Sequence, residues 1–202
     1  MKKFMALLLV AGMTLSLTAC GGSTDTAKTD QADGKDTFTV GFDQDFPPFG
    51  YVGDDGEFTG FDIEMATECA ARMGKKIVLQ PIDWDAKDME LEAGTIDCIW
   101  NGFTMNGRED QYTWTDPYMD NSQVVVVKKD SGINTLADLA GKVVEVQKES
   151  AAETALNDEE HADLMASFAQ LLSVGEYNTA FMDLESGAVD AVAIDIGVAQ
   201  FQ

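Results

Sequence analysis

The chain has 202 residues and carries 13 basic against 36 acidic side chains, a formal net charge of −23. That balance excludes nucleic acid as a partner, because no basic patch exists to displace phosphate counterions, and it disfavours polyanionic substrates for the same reason. A zwitterion has no net charge and feels little of such a field beyond the ~8 Å screening length of physiological salt, so local groups decide whether it binds.

The first elements in chain order concern export. Lys2 and Lys3 precede an apolar run from Phe4 to Leu17, shorter than the ~20 residues of a spanning helix and fitting a secretory signal. The run ends in Leu17-Thr18-Ala19-Cys20. This stretch resembles the lipobox of bacterial lipoproteins, which implies a signal peptide over 1–19 and lipidation of Cys20; the other reading is an ordinary signal with an incidental cysteine. Residues 20–36 contain no apolar side chain larger than Ala beyond Cys20 itself. They read as a flexible tether, since such a segment cannot bury enough surface to offset its ordering entropy. Cys69 and Cys98 sit on apolar stretches and read as buried free thiols, with their pairing left open.

An internal repeat organises the rest of the chain. Asp83–Ile99 recurs 93 positions later as Glu176–Val192, with Met89/Met182, Leu91/Leu184, Glu92/Glu185, Gly94/Gly187 and Asp97/Asp190 identical. Each copy predicts an aromatic (Trp84, Tyr177), an N-cap (Asp85, Asn178), a helix closed by glycine and a short buried strand. Before the first copy, Thr37 to Phe42 reads as a strand, Phe61 to Met73 as a helix apolar at Ile63, Ala66, Cys69, Ala70 and Met73, and Ile77 to Ile82 as a strand. Asp97 to Trp100 reads as the strand of the first copy itself. After it come Gln123 to Lys128, a short helix from Thr135, Lys142 to Val146 and a helix from Ser150. Strands alternating with helices imply α/β lobes with parallel-rich sheets and ligands at the carboxyl ends of the strands. The expected organisation is a first lobe over 37–118, a hinge over 119–122 and a second lobe over 123–202. The second lobe stops shortly after entering a new helix and is expected to be C-terminally incomplete.

Strand ends locate the candidate ligand groups. Asn101-Gly102-Phe103-Thr104 leads to Arg108, one of two arginines in the chain, at what reads as a helix start with outward-pointing amides. The planar guanidinium suits a carboxylate, a bond worth ~1.5–3 kcal/mol; the other reading is a surface ion pair with Glu109, Asp110 or Asp116. Ser150-Ala151-Ala152-Glu153 is a capping box whose first amides are accessible, or simply a helix cap. The repeat offset maps Gly102 onto Asp195, which follows the apolar run Ala191 to Ile194. A carboxylate there is costly unless paired with a cation such as an α-ammonium, or else it caps the last helix. Phe46 and Trp84, after the first-lobe strands, read either as a clamp for a side chain or as core.

With these residues in hand, Val40-Gly-Phe-Asp43, Phe46-Pro-Pro-Phe-Gly-Tyr51, Gly60-Phe-Asp-Ile-Glu64, Ile96-Asp97 leading to Thr104 and Arg108, and Thr135-Leu-Ala-Asp-Leu-Ala-Gly-Lys142 with Val146-Gln147 and Ser150 resemble the polar amino acid binding proteins of ABC transporters. The resemblance implies a two-lobed type II periplasmic-binding-protein fold that closes around its ligand, with no cofactor, and a permease as partner. It implies that Arg108, Thr104 and the amide of Ala151 take an α-carboxylate, and that Asp195 and the Gly102 carbonyl take an α-ammonium. Phe46 and Trp84 would sandwich the side chain, with Asp43 and Asn101 nearby and Ser150 beside Ala151. It also implies a protein anchored at the outer face of the cytoplasmic membrane. Three positions depart from the family pattern: Arg108 lies one residue closer to Thr104 than in many relatives, Glu149 stands where Gly is frequent, and Ala151 stands where a hydroxyl is frequent. Two rivals share the fold: an enzyme resembling arogenate or prephenate dehydratases, disfavoured because His161 is the only histidine and no nucleophile–base pair is evident, and the input lobe of a receptor.

Overall fold

The computed structural model describes residues 35–202; the predicted signal peptide, the lipidated Cys20 and nearly all of the tether lie outside the described residues. In the first lobe, β1 (Thr37–Phe42) is followed by the short antiparallel strands β2 (Asp45–Phe46), β3 (Gly50–Val52) and β4 (Phe58–Thr59). Then come α1 (Phe61–Arg72), β5 (Lys76–Pro81), α2 (Lys87–Ala93) and β6 (Cys98–Ile99). An extended segment leads to the second lobe: β7 (Gln123–Val127), β8 (Val143–Gln147), α3 (Ala151–Leu156), α4 (Ala162–Ser167), β9 (Gln170–Val174), α5 (Tyr177–Ser186), β10 (Ala191–Asp195) and α6 (Ile196–Phe201).

The two lobes repeat one plan. The first sheet has the order β5-β1-β6, all parallel, and the second runs β7-β10-β8-β9, with β8 parallel to both β9 and β10 and only β7 antiparallel. In each lobe the first strand of a β-α-β-α-β run thus lies between the two that come after it. The registers agree as well: Val40 faces Cys98 as Val144 faces Ala191, and Cys98 and Ala191 are repeat equivalents. Asp43, the residue after β1, therefore corresponds to Gln147, the last residue of β8.

Burial follows from the periodicities. Val40 and Phe42 are fully buried, and a Cβ on Gly41 between them would lie 2.5 Å from Ile96 Cδ1, so this strand is packed on both faces. β10 divides its side chains between two clusters, as a strand of period two must. Val192 and Ile194 pack with Tyr177, Leu184 and Val198, while Ala191 and Ala193 pack with Leu139, Val144 and Leu156. Phe46 and Phe49, carried by the first lobe, join the former cluster.

Several local expectations need correction. α1 buries Ile63, Ala66 and Ala70, but Met73, its C-cap, is exposed and Cys69 is half-buried. Cys69 and Cys98 are both free and half-buried rather than buried; burial pushes the Cys98 thiol up to about 12. Asp85 and Asn178 are not N-caps. The helical turns open two residues earlier, after Asp83 and Glu176, because the aromatic side chains of Trp84 and Tyr177 are buried as part of the first turn. Residues 101–121 form turns with no helix start at Arg108. Gly102 and Gly107 take φ of 58° and 78°, left-handed values that interrupt any helical run.

The glycine caps behave as their spacing predicts. Gly94 and Gly187 end α2 and α5 at φ of 69° and 85°, and a Cβ at either position meets no atom closer than 3.6 Å. The cost of alanine there is purely conformational. Gly94→Ala and Gly187→Ala are each expected to lower unfolding free energy by about 1 kcal/mol, measured by urea denaturation, with no change in the folded circular dichroism.

Candidate functional site

Between the lobes lies a cleft lined by Phe46, Trp84, Asn101, Gly102, Phe103, Thr104, Arg108, Gln147, Ser150, Ala151 and Asp195. Nine of the ten ligand residues read from the sequence are in that lining. The tenth, Asp43, stands just behind it: its Oδ2 accepts from Gln147 Nε2 at 2.6 Å, and its backbone N–H donates to Asn101 Oδ1 at 3.0 Å.

Arg108 is 7% exposed, which disposes of the surface ion pair. Its guanidinium donates to the Thr104 carbonyl at 3.2 Å, the Glu149 carbonyl at 3.1 Å and Thr154 Oγ1 at 3.0 Å. Its Cζ lies 5.3 Å from the Phe103 ring centroid. Burial lowers its pKa, opposed by Tyr112, Asp195, Asp88 and Glu149.

Asp195 ends β10 and is 5% exposed. Its Oδ1 accepts from Gln123 Nε2 at 2.8 Å and from Asn121 Nδ2. Although the residue stands at the N-cap of α6, its side chain makes no capping bond and lines the cleft instead. Burial pushes its pKa up, opposed by the two amides and by Arg108. A cation and a carboxylate, both withdrawn from water, thus share the walls of one small cleft.

The aromatic positions differ in role. Phe46 stacks on Phe49 at 5.6 Å and lies 6.0 Å from Tyr177. Trp84 stands edge-on to Phe103 at 5.1 Å. Both line the cleft while packed against other rings, so core and lining are one role here. Ser150 caps α3 by accepting from Glu153 N–H at 3.1 Å. Its capping box is displaced by one residue, since the Glu153 carboxylate accepts from the Glu149 N–H at 2.6 Å.

Glu149 adopts φ of 58°, the left-handed region that favours glycine. Its carboxylate meets Lys87 Nζ at 2.6 Å, a lysine only 3% exposed that also sits 5.4 Å above Trp84. Its charge is therefore matched within the protein rather than facing a bound carboxylate. Sequence reasoning missed Gln147, Phe103 and Lys87 as members of this region. Gln147 was findable, because it follows an apolar strand as Asp195 does; nothing in the local pattern marks Lys87. His161, half-buried before α4, is not part of the lining.

Two buried acids support the site from behind. Asp43 and Asp62 are raised to about 6, chiefly by burial, and Asp62 accepts from Tyr118 Oη at 2.8 Å. Because their folded pKa values lie above the unfolded value of 3.8, the folded chain binds more protons between pH 4 and 6, and stability rises as pH falls through that window. The ligand-free protein is expected to melt about 5 °C higher at pH 5 than at pH 7.5 in scanning calorimetry. Asp43→Asn with Asp62→Asn reduces that dependence and leaves the part contributed by Asp195 and Glu145, whose pKa values burial also raises.

A family model described as bacterial extracellular solute-binding proteins, family 3, matches residues 38–181. The chain belongs to this family. Among family 3 relatives, the arginine-binding extracellular protein ArtP of Bacillus subtilis is 36% identical over 73% of the chain and 56% of its own length. The L-cystine-binding protein TcyJ of Escherichia coli is 31% identical over 95% of the chain and 69% of its own. The chain thus spans little more than half the length of ArtP. A solved structure of an ABC uptake transporter substrate-binding protein from Streptococcus pneumoniae with bound histidine superposes with a TM-score of 0.77, at 36% identity, over 82% of the chain and 68% of its own. The fold is the two-lobed type II periplasmic-binding-protein arrangement of that family.

Proposed function

We propose that this protein is the exported substrate-binding component of an ABC transporter that captures an L-amino acid between its lobes and hands it to a permease. The observation that carries the reading is the pairing of buried Arg108 with buried Asp195 across one small cleft. An α-carboxylate satisfies the first and an α-ammonium the second, and a zwitterion supplies both at fixed separation without net charge. Thr104 and the Ala151 amide assist at the carboxylate, the Gly102 carbonyl at the ammonium, and Phe46 and Trp84 bracket the side chain. The lobes are those over 37–118 and 123–202, closing about 119–122, with Cys20 lipidated to hold the protein at the outer membrane face. Relatives named for arginine, cystine and histidine support an amino acid with a polar side chain. Binding, not turnover, is the activity.

Isothermal titration of the twenty amino acids and cystine against the chain without residues 1–20 tests this. Saturable heat with one or a few polar amino acids is expected. Folded protein that shows no heat with any of them overturns the reading.

A further inference from the structure

Asn121 lies between β6 and β7, in the segment that joins the lobes, and the ligand contacts proposed above give it no part. Its side-chain Nδ2 donates to Thr104 Oγ1 at 3.1 Å and also to Asp195 Oδ1. Thr104 belongs to the first lobe and Asp195 to the second, and both line the cleft. The Thr104 carbonyl in turn accepts from Arg108 at 3.2 Å. A string of hydrogen bonds therefore runs from the Asp195 carboxylate through Asn121 and Thr104 to the Arg108 guanidinium.

Each link in that string has a direction. A hydroxyl carries one proton beside its lone pairs, so a Thr104 Oγ1 that accepts from Asn121 keeps its own proton for a ligand oxygen. At the other end, an N–H donor favours the ionised form of a carboxylate. Gln123 supplies a second donor: it stands opposite Asp195 in the antiparallel ladder, and its Nε2 bonds the same Oδ1 at 2.8 Å. Its Oε1 is buried and, among the described residues, accepts no hydrogen bond. An amide that leaves its acceptor unpaired to keep its donor on Asp195 is oriented by negative charge. Both amides use Oδ1, so neither takes up Oδ2.

We infer that Asn121 is a positioning residue for ligand binding: one amide sets the Thr104 hydroxyl as a donor to a ligand carboxylate and holds Asp195 as an acceptor for a ligand ammonium. The inference rests on the amino acid reading proposed above, which assigns those two ends. It makes Asn121 a determinant of zwitterion preference, because a ligand lacking either charge gains from only one of the two bonds. Asn121 is itself exposed, so its replacement opens no buried cavity and the fold tolerates the change.

Asn121→Ala and Asn121→Leu test this, leucine filling the amide's volume without a donor. Isothermal titration between about pH 4 and 8, with the amino acid that wild type binds, is expected to show affinity about 10-fold lower in both. The acid limb of the affinity profile is expected to move to higher pH, because Asp195 has lost a donor to its ionised form. Arg108 and Tyr177 face Asp195, but the guanidinium stays charged and the buried phenol stays protonated over that range, so neither moves the limb. Asp43, raised to about 6 behind Gln147, contributes equally to wild type and variants, so the shift between them is the readout. Lower affinity with an unmoved limb shows a merely structural role and overturns the inference, as does unchanged affinity. A second measurement needs neither ligand nor a substitution at 121. The side-chain N–H2 resonances of Asn121 in ligand-free wild type are expected to titrate with pH and to lose that titration in Asp195→Asn. Resonances flat with pH, or titrating identically in both proteins, overturn the inference. Absence of heat with every amino acid sinks the binding reading separately, whatever these resonances show.

Discussion

Arg108→Ala is expected to raise the dissociation constant for the bound amino acid by about 100-fold or more, since a charge-assisted, two-pronged contact to a carboxylate supplies roughly 3 kcal/mol. The effect has two sources. The guanidinium supplies the positive charge in the cleft lining, and it bridges the lobes through Glu149 and Thr154, so its loss also weakens closure. Arg108→Lys separates charge from shape: an ammonium cannot hold the Thr104 carbonyl, the Glu149 carbonyl and Thr154 while also facing a ligand, and a loss of about 10-fold is expected. The other arginine is the internal control. Arg72 is exposed and pairs with Glu68 one turn away on α1, and Arg72→Ala leaves affinity unchanged. Isothermal titration reads all three. Unaltered affinity in Arg108→Ala removes the carboxylate assignment.

Asp195→Asn is expected to move affinity and stability in opposite directions. Burial raises the pKa of the carboxylate, so carrying its charge in the ligand-free protein costs stability. Asparagine has the same shape and accepts from the same two amides, Asn121 and Gln123, without that cost. The ligand-free variant is therefore expected to melt at or above the wild-type temperature. Ligand affinity falls by about 100-fold, because the α-ammonium loses its counter-charge in a desolvated site. The pH dependence gives a second readout. Ammonium binding needs Asp195 ionised, so wild-type affinity weakens as pH falls through its raised pKa, whereas the variant's residual affinity loses that dependence. A variant that binds as tightly as wild type shows that the ammonium lies elsewhere. One that merely unfolds shows a structural role for the charge.

These two residues show how far one-dimensional reasoning reaches. Asp195 was legible because the repeat offset carries a strand end of one lobe onto its counterpart, and because an acid after four apolar residues is out of place without a partner. Arg108 was legible as a rare guanidinium beyond a strand end, yet the helix expected there does not exist; Gly102 and Gly107 turn the backbone instead. Its placement in the cleft lining does not depend on that helix, because the expectation rested on charge and position beyond a strand end. The N-cap assignments of Asp85 and Asn178 failed for a related reason. Capping preference is worth only ~1 kcal/mol, and burying Trp84 and Tyr177 in the first turn outweighs it.

By itself, the sequence determined what depends on short-range order: the α/β alternation, the duplicated unit, the glycine stops at Gly94 and Gly187, and the strand ends that line the cleft. Only the tertiary structure decided which polar groups satisfy one another across the cleft. Lys87 meets Glu149, Asp85 meets Lys148 and Gln147 meets Asp43 across sequence separations of 62, 63 and 104 residues. Such pairs form where two independently specified lobes bring charges within hydrogen-bonding distance. Their energies depend on that distance and on burial, neither of which any local pattern encodes.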